Sequence, residues 1–142
     1  ILERNGFSRA YGLDRERRHI GGRFIKITVL VKQPGKRAQV RTIEHTLEAF
    51  QEIVGGNIEQ VPLMYDVLLS HIPDICAFCN DSGKIRRLPA NFLIGNILNG
   101  CYDVICGPVV FAGVADEEMV SLSERQIALI QKSITANEVI AI

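Results

Sequence analysis

No stretch of the 142-residue chain approaches the roughly 20 apolar residues that cross a bilayer as a helix, so no membrane partner is expected. No short apolar run follows a basic start, so no signal peptide is read either. Net charge is lacking too. The 16 basic and 16 acidic residues cancel, which makes a strongly basic nucleic-acid binder a poor default. There are only 3 histidines, and neither His19, His45 nor His71 stands in a nucleophile signature with Cys or Ser. They read more simply as capping or surface residues, although a Cys–His pair assembled in space stays open. Internal repeats and low-complexity tracts are absent.

What is present suits one ordinary domain. Hydrophobic residues make up 47% and charged residues 23%, enough apolar area to offset the entropy of ordering. The charge is unevenly spread. Residues 1–23 carry six arginines (Arg4, Arg9, Arg15, Arg17, Arg18, Arg23) against Glu3, Asp14 and Glu16, a net +3, and the remainder is −3. This reads as a basic N-terminal tail or linker, with a gripping arm as the alternative. A start at Ile1 fits a fragment or processed product. Gly21-Gly22 makes a joint, so the boundaries are 1–23 for the tail and 24–142 for a single α+β domain.

The pattern predicts a strand over Phe24–Lys32, a turn at Gln33-Pro34-Gly35-Lys36 and a returning strand over Gln39–Glu44. Thr46 should cap a helix running to Val54, with Gly55-Gly56 ending it. Asn57–Leu63 reads as a short strand that Pro62 confines to an edge. Met64–Asp74 is apolar and reads as a helical turn or loop. Ile75–Asn80, a turn at Asp81–Lys84 and Ile85–Leu88 give a second hairpin, broken by Pro89-Ala90-Asn91. Phe92–Gly100 looks irregular. Tyr102–Val114 is a long apolar run with a bulge or bend at Gly107-Pro108. Ser123 and Gln126 form a capping box before a last helix, stapled by Leu122 and Ile127, with Ile130 and Ile134 continuing the apolar stripe. The expected fold is α+β: a mostly antiparallel sheet of five to six strands with two amphipathic helices on one face.

Five stretches, ITVLVKQPGK (27–36), IEHTLEAFQEIVGGNIEQVPL (43–63), CNDSGKIRRLPAN (79–91), YDVICGP (102–108) and VSLSERQI (120–127), occur in an order that resembles the domain-of-unknown-function 3846 family. The resemblance implies an intracellular accessory protein of bacteria, phages or mobile elements, and it carries no established activity. Phe92 stands where an Arg usually follows the Pro-x-Asn of the family, and Pro108 where a Thr is common. Met64–Asp74 is longer than usual.

Candidate chemistry divides five ways. Cys76, Cys79, Cys101 and Cys106 could hold zinc as thiolates, but residues three or five apart on a strand face opposite ways. Buried, reduced thiols and no metal are the expectation, as in a cytoplasmic protein. A His-centred nucleophile is the second, set aside above. Lys32, Lys36, Arg37 and Arg41 surround the first turn, and Lys84, Arg86 and Arg87 the second. These two basic hairpins could hold a nucleotide or nucleic acid, or could simply keep sheet edges soluble. A polar cluster of Asn80, Lys84, Arg86, Asn91 and Asp103 is the preferred ligand-binding patch, since Asp103 inside an apolar strand needs a partner if buried. Finally, Met64–Ile72 and Tyr102–Val114 are apolar enough to mark an interface, with a homo-oligomer as one outcome. The preferred function is a non-enzymatic binding module without a cofactor, occupying a protein or small ligand. Nucleic acid is not favoured, and a small enzyme with a spatially assembled site is a further alternative.

Overall fold

The computed structural model describes residues 19–20, 23–96 and 100–138. The basic tail, but for short stretches at its end, lies outside the described residues. There, β1 (His19–Ile20) pairs antiparallel with β2 (Arg23–Phe24).

The opening hairpin forms where its alternation and turn residues demand. β3 (Lys26–Lys32) pairs antiparallel with β4 (Gln39–Glu44). Gly35 takes φ +69°, a left-handed turn position that a side chain disfavours. α1 (Leu47–Val54) begins where Thr46 Oγ1 accepts from the Ala49 N–H at 3.1 Å, and ends at the left-handed Gly55. β5 (Ile58–Gln60) is shorter than the expected 57–63. Pro62 has no N–H to extend the ladder, and the chain turns into two 3-10 turns, Leu63–Tyr65 and Leu69–His71. β6 (Ile75–Asn80) follows as expected.

The next segment departs from expectation. Residues 81–87 form successive turns, not a hairpin, with Arg86 N–H donating to Ser82 O and Leu88 N–H to Gly83 O. Arg87 sits at φ 55°, and Ile85 points into solvent at 86% exposure, so neither can continue a strand. The strand instead comes where irregular chain is expected. β7 (Ala90–Asn96) pairs with β8 (Cys101–Cys106) as a separate two-stranded sheet. Gly107-Pro108 is more than a bend, because it marks where the chain changes sheets. β9 (Val109–Ala115) leaves β8 behind and becomes the central strand of the main sheet. An unexpected β10 (Glu118–Val120) folds back on β9 through Asp116 and Glu117, both at positive φ, a turn type read more readily from Asn-Gly. α2 (Glu124–Ala136) starts at Ser123 with the reciprocal capping box that the sequence announces.

The main sheet runs β4-β3-β9-β6-β5 with every pair antiparallel, and β10 extends the edge of β9 beyond β3. Strand alternation divides the core in two. Val29, Phe78, Val110 and Ala112 pack with Leu47, Phe50 and Val54 of α1. Leu30, Ala77, Val109 and Phe111 face the other way, onto Phe92 and Ile94 of β7 and Ile130 and Ile134 of α2. The fold is α+β as expected, but the helices do not share a face. Buried side chains on both faces of β9 leave neither face for solvent, and each helix covers one.

Candidate functional site

The five residues of the preferred patch separate into three places. Asn80 is buried. Its Nδ2 donates to the Val54 carbonyl at 3.0 Å, and its Oδ1 accepts from the Ser82 N–H at 2.8 Å. Arg86 Nη1 donates to the Gly55 carbonyl at 3.1 Å. Both side chains therefore satisfy carbonyls left open at the C-terminal end of α1, and the cation also suits the negative end of the helix. Asn91 lies on β7, fully buried. Its Nδ2 donates to Lys32 O at 2.7 Å and to Gly107 O at 2.9 Å, tying the end of β3 to the point where the chain changes sheets.

Lys84 and Asp103 stay together, as an ion pair on the rim of a cleft of about 410 Å³ between the 81–88 turns, β5 and β8, and Asn80 also lines that cleft. Their mutual hydrogen bond holds the lysine pKa above, and the aspartate pKa below, its ordinary value. The side chains are 59% and 63% exposed, so water screens the pair. Glu59, Cys79 and Cys106 also line the cleft. Burial first, and then the charges of Glu59 and Asp81, push the Cys79 thiol up to about 12. Cys76 faces the α1 layer while Cys79 faces the other, and burial lifts Cys76 to about 12 as well. The side chain of Cys101 lies outside the described residues. Among those described, no group of three His, Cys, Asp or Glu could hold a metal ion.

The first basic turn is reorganised too. Lys32 is buried, with Nζ donating to Gln33 O and to Glu138 Oε1, both at 2.9 Å. Lys36 and Arg37 are exposed beside it, on a groove of about 720 Å³ that also takes in Lys132, Thr135 and Glu138. Arg41 lines a different hollow on the α1 face with Glu48 and Glu52. In the second basic turn, Arg86 is committed to the end of α1 and Lys84 to Asp103.

A different constellation was invisible in the sequence. Asp66 is 1% exposed, in the stretch between the two 3-10 turns. One carboxylate oxygen accepts from the N–H groups of Leu68 and Leu69 at 3.0 and 2.8 Å. The other accepts from Gly95 N–H at 2.9 Å and from Asn137 Nδ2 at 3.0 Å. Val67 N–H also donates to Gly95 O. One side chain thus fastens the 62–72 segment to β7 and to the end of α2. Around it, Met64 and Tyr65 are 75% and 71% exposed, and Val67 and Leu68 are also open to solvent. A neighbouring groove of about 470 Å³ runs beside Pro62, Met64, Leu69 and Ile75. One signal in the sequence is its unusual apolar length. Two of the partners of Asp66 are local, the N–H groups of Leu68 and Leu69, a turn an Asp can announce, but its ties to Gly95 and Asn137 span 29 and 71 residues and leave no local signal.

Residues 25–135 match the model of a family described as Domain of unknown function (DUF3846). No curated protein and no solved structure matches the chain. No helix among the described residues is long and apolar enough to cross a membrane.

Proposed function

We propose that this chain, which belongs to the domain-of-unknown-function 3846 family, is a non-enzymatic binding module that holds a partner protein through its 62–72 segment. The setting that goes with this reading is an accessory protein of a phage or mobile element, acting on a host protein in the cytoplasm. The reading rests on one observation. A buried carboxylate with four donors fixes a short segment that buries Leu63, Leu69 and Ile72 but turns Met64, Tyr65, Val67 and Leu68 outward.

Such a segment is costly in isolation. Hydrophobic side chains lose roughly 25 cal/mol for each Å² left in water, and the carboxylate must be desolvated to hold them there. Cover by a partner would recover the first term. The fixed backbone means that little ordering entropy would be lost on docking. Tyr and Met are residue types enriched in the buried centres of interfaces.

The experiment is site-specific photo-crosslinking in host lysate, with the probe at Val67 and, as a control, at Lys132. A single partner crosslinked from Val67 only, and lost by at least tenfold in Tyr65→Ala, supports the reading. Equal capture from both positions, or capture unchanged in a Met64→Ser/Tyr65→Ser double variant, overturns it.

A further inference from the structure

We infer that the groove between the β3–β4 turn and α2 takes a small phosphate-bearing ligand. The groove brings together residues remote in sequence. Lys36 and Arg37 come from the turn, Lys132 and Thr135 from α2, and Lys32 and Glu138 form its floor. Among the described residues Glu138 is the only carboxylate in the lining, and Lys32 occupies it at 2.9 Å. Lys36, Arg37 and Lys132 therefore stand exposed with no carboxylate paired to them among the described residues. Three uncompensated cations face one hollow on a chain whose formal net charge is +0.

The simpler account of such residues covers only part of the set. Lys and Arg at a hairpin tip discourage edge-to-edge pairing, which would explain Lys36 and Arg37. It does not explain Lys132, which lies on a helix and converges on the same hollow. Nor does helix-end electrostatics, because the last turn of α2 carries no basic residue. Gly35 adds a stretch of backbone with no atom within 4 Å of where a side chain would start, so the turn approaches the hollow unobstructed.

The ligand class follows from charge and size. A cluster of guanidinium and ammonium donors matches phosphate oxygens. A volume of about 720 Å³ lies within the roughly 300–1,000 Å³ of small-molecule sites. A chain without net positive charge is poorly suited to track a long polyanion, so a small molecule is the occupant and nucleic acid the competing outcome.

The test is a titration of the ¹⁵N-labelled full chain with ATP, with inorganic phosphate, and with a thymidine 20-mer, at low salt. The expected result is saturable shifts confined to residues 35–38 and 131–138 with ATP, weaker binding of inorganic phosphate at the same residues, and at least tenfold loss of ATP affinity in Lys132→Glu. Arg41→Glu makes the same charge change outside the groove and should bind ATP as the parent does. Lys132 and Arg41 are both exposed, and the remaining spectrum reports that each variant is folded. Shifts elsewhere, unchanged affinity in Lys132→Glu, or equal losses in Lys132→Glu and Arg41→Glu would overturn the inference, the last by reducing it to attraction between net charges. Binding of the 20-mer alone, with a steep salt dependence, would overturn it in favour of nucleic acid.

Discussion

Removing the Asp66 carboxylate would strand four donors at once: the N–H groups of Leu68, Leu69 and Gly95, and Asn137 Nδ2. Donors left without partners in a buried site each cost about 1–3 kcal/mol, so Asp66→Ala should lower stability by about 3 kcal/mol or more in urea unfolding. A loss below about 1 kcal/mol would mean that water replaces the carboxylate, and that it does not fix the segment. The thiols give a second prediction at this scale. With pKa values raised to about 12, Cys76 and Cys79 should hold only about one thiolate in ten thousand at pH 8. Peptide mapping after iodoacetamide should find both unmodified until the chain unfolds. The pair of Lys84 and Asp103 behaves differently. The lowered aspartate pKa contributes stability above the ordinary carboxylate range, lost as pH falls through the folded value. The raised lysine pKa contributes below the ordinary lysine value, lost as pH rises through the folded one. With both side chains more than half exposed, Asp103→Asn should cost under about 1 kcal/mol at pH 7, and less at high salt.

At the scale of elements, the sequence is most informative where the deciding contacts are local. The Thr46 and Ser123 caps, the glycine end of α1 and the Pro-Gly turn are all fixed by neighbours within a few residues. β6 keeps the bounds read for it, a short run closed by the turn residues that follow Asn80. Elements decided by distant pairing are not legible in this way. β7 exists because β8 pairs with it, despite the Pro89 before it and the Gly95 within it. Ile85–Leu88 has strand-like composition but no partner, and it turns. Part of the preferred polar patch is drawn elsewhere for the same reason, although Asn80, Lys84 and Asp103 still line one cleft. Asn80 and Arg86 are close in sequence, yet each is spent on the end of a helix about thirty residues earlier. The capping box of α2 carries the prediction here. Gln126 accepts from the Ser123 N–H at 2.9 Å, and its Nε2 donates to the carbonyls of Pro73 and Asp74 at 3.2 and 3.1 Å. Ser123→Ala should lower stability by about 1 kcal/mol, as for other caps. Gln126→Ala should do the same and also speed amide exchange at Val114, whose N–H donates to Asp74 O. Unchanged exchange at Val114 would show that Gln126 serves the helix alone.

For the molecule as a whole, the question is whether its two layers fold as one. β9 is common to both. Val110 and Ala112 pack toward α1, whereas Val109 and Phe111 pack toward the second sheet and α2. The second layer is held in large part through Phe92, fully buried with its ring stacked on Phe111 at 6.1 Å between centroids. This gives a physical sense to an aromatic residue at position 92. An aromatic ring can fill the space between the layers, and an unpaired charge there could not. A shared central strand makes partial unfolding expensive, because releasing either layer exposes one buried face of β9 to water. The layers should therefore unfold together. Phe92→Ala should cost about 3–5 kcal/mol, and the transitions followed by far-ultraviolet dichroism and by amide exchange in α1 should shift by the same amount and remain coincident. If exchange in α2 and β8 accelerated while α1 kept its protection, the second layer would be a separate cooperative unit. The 62–72 segment would then ride on a part that can open alone, since Asp66 fastens it to β7 and α2 and not to the α1 layer.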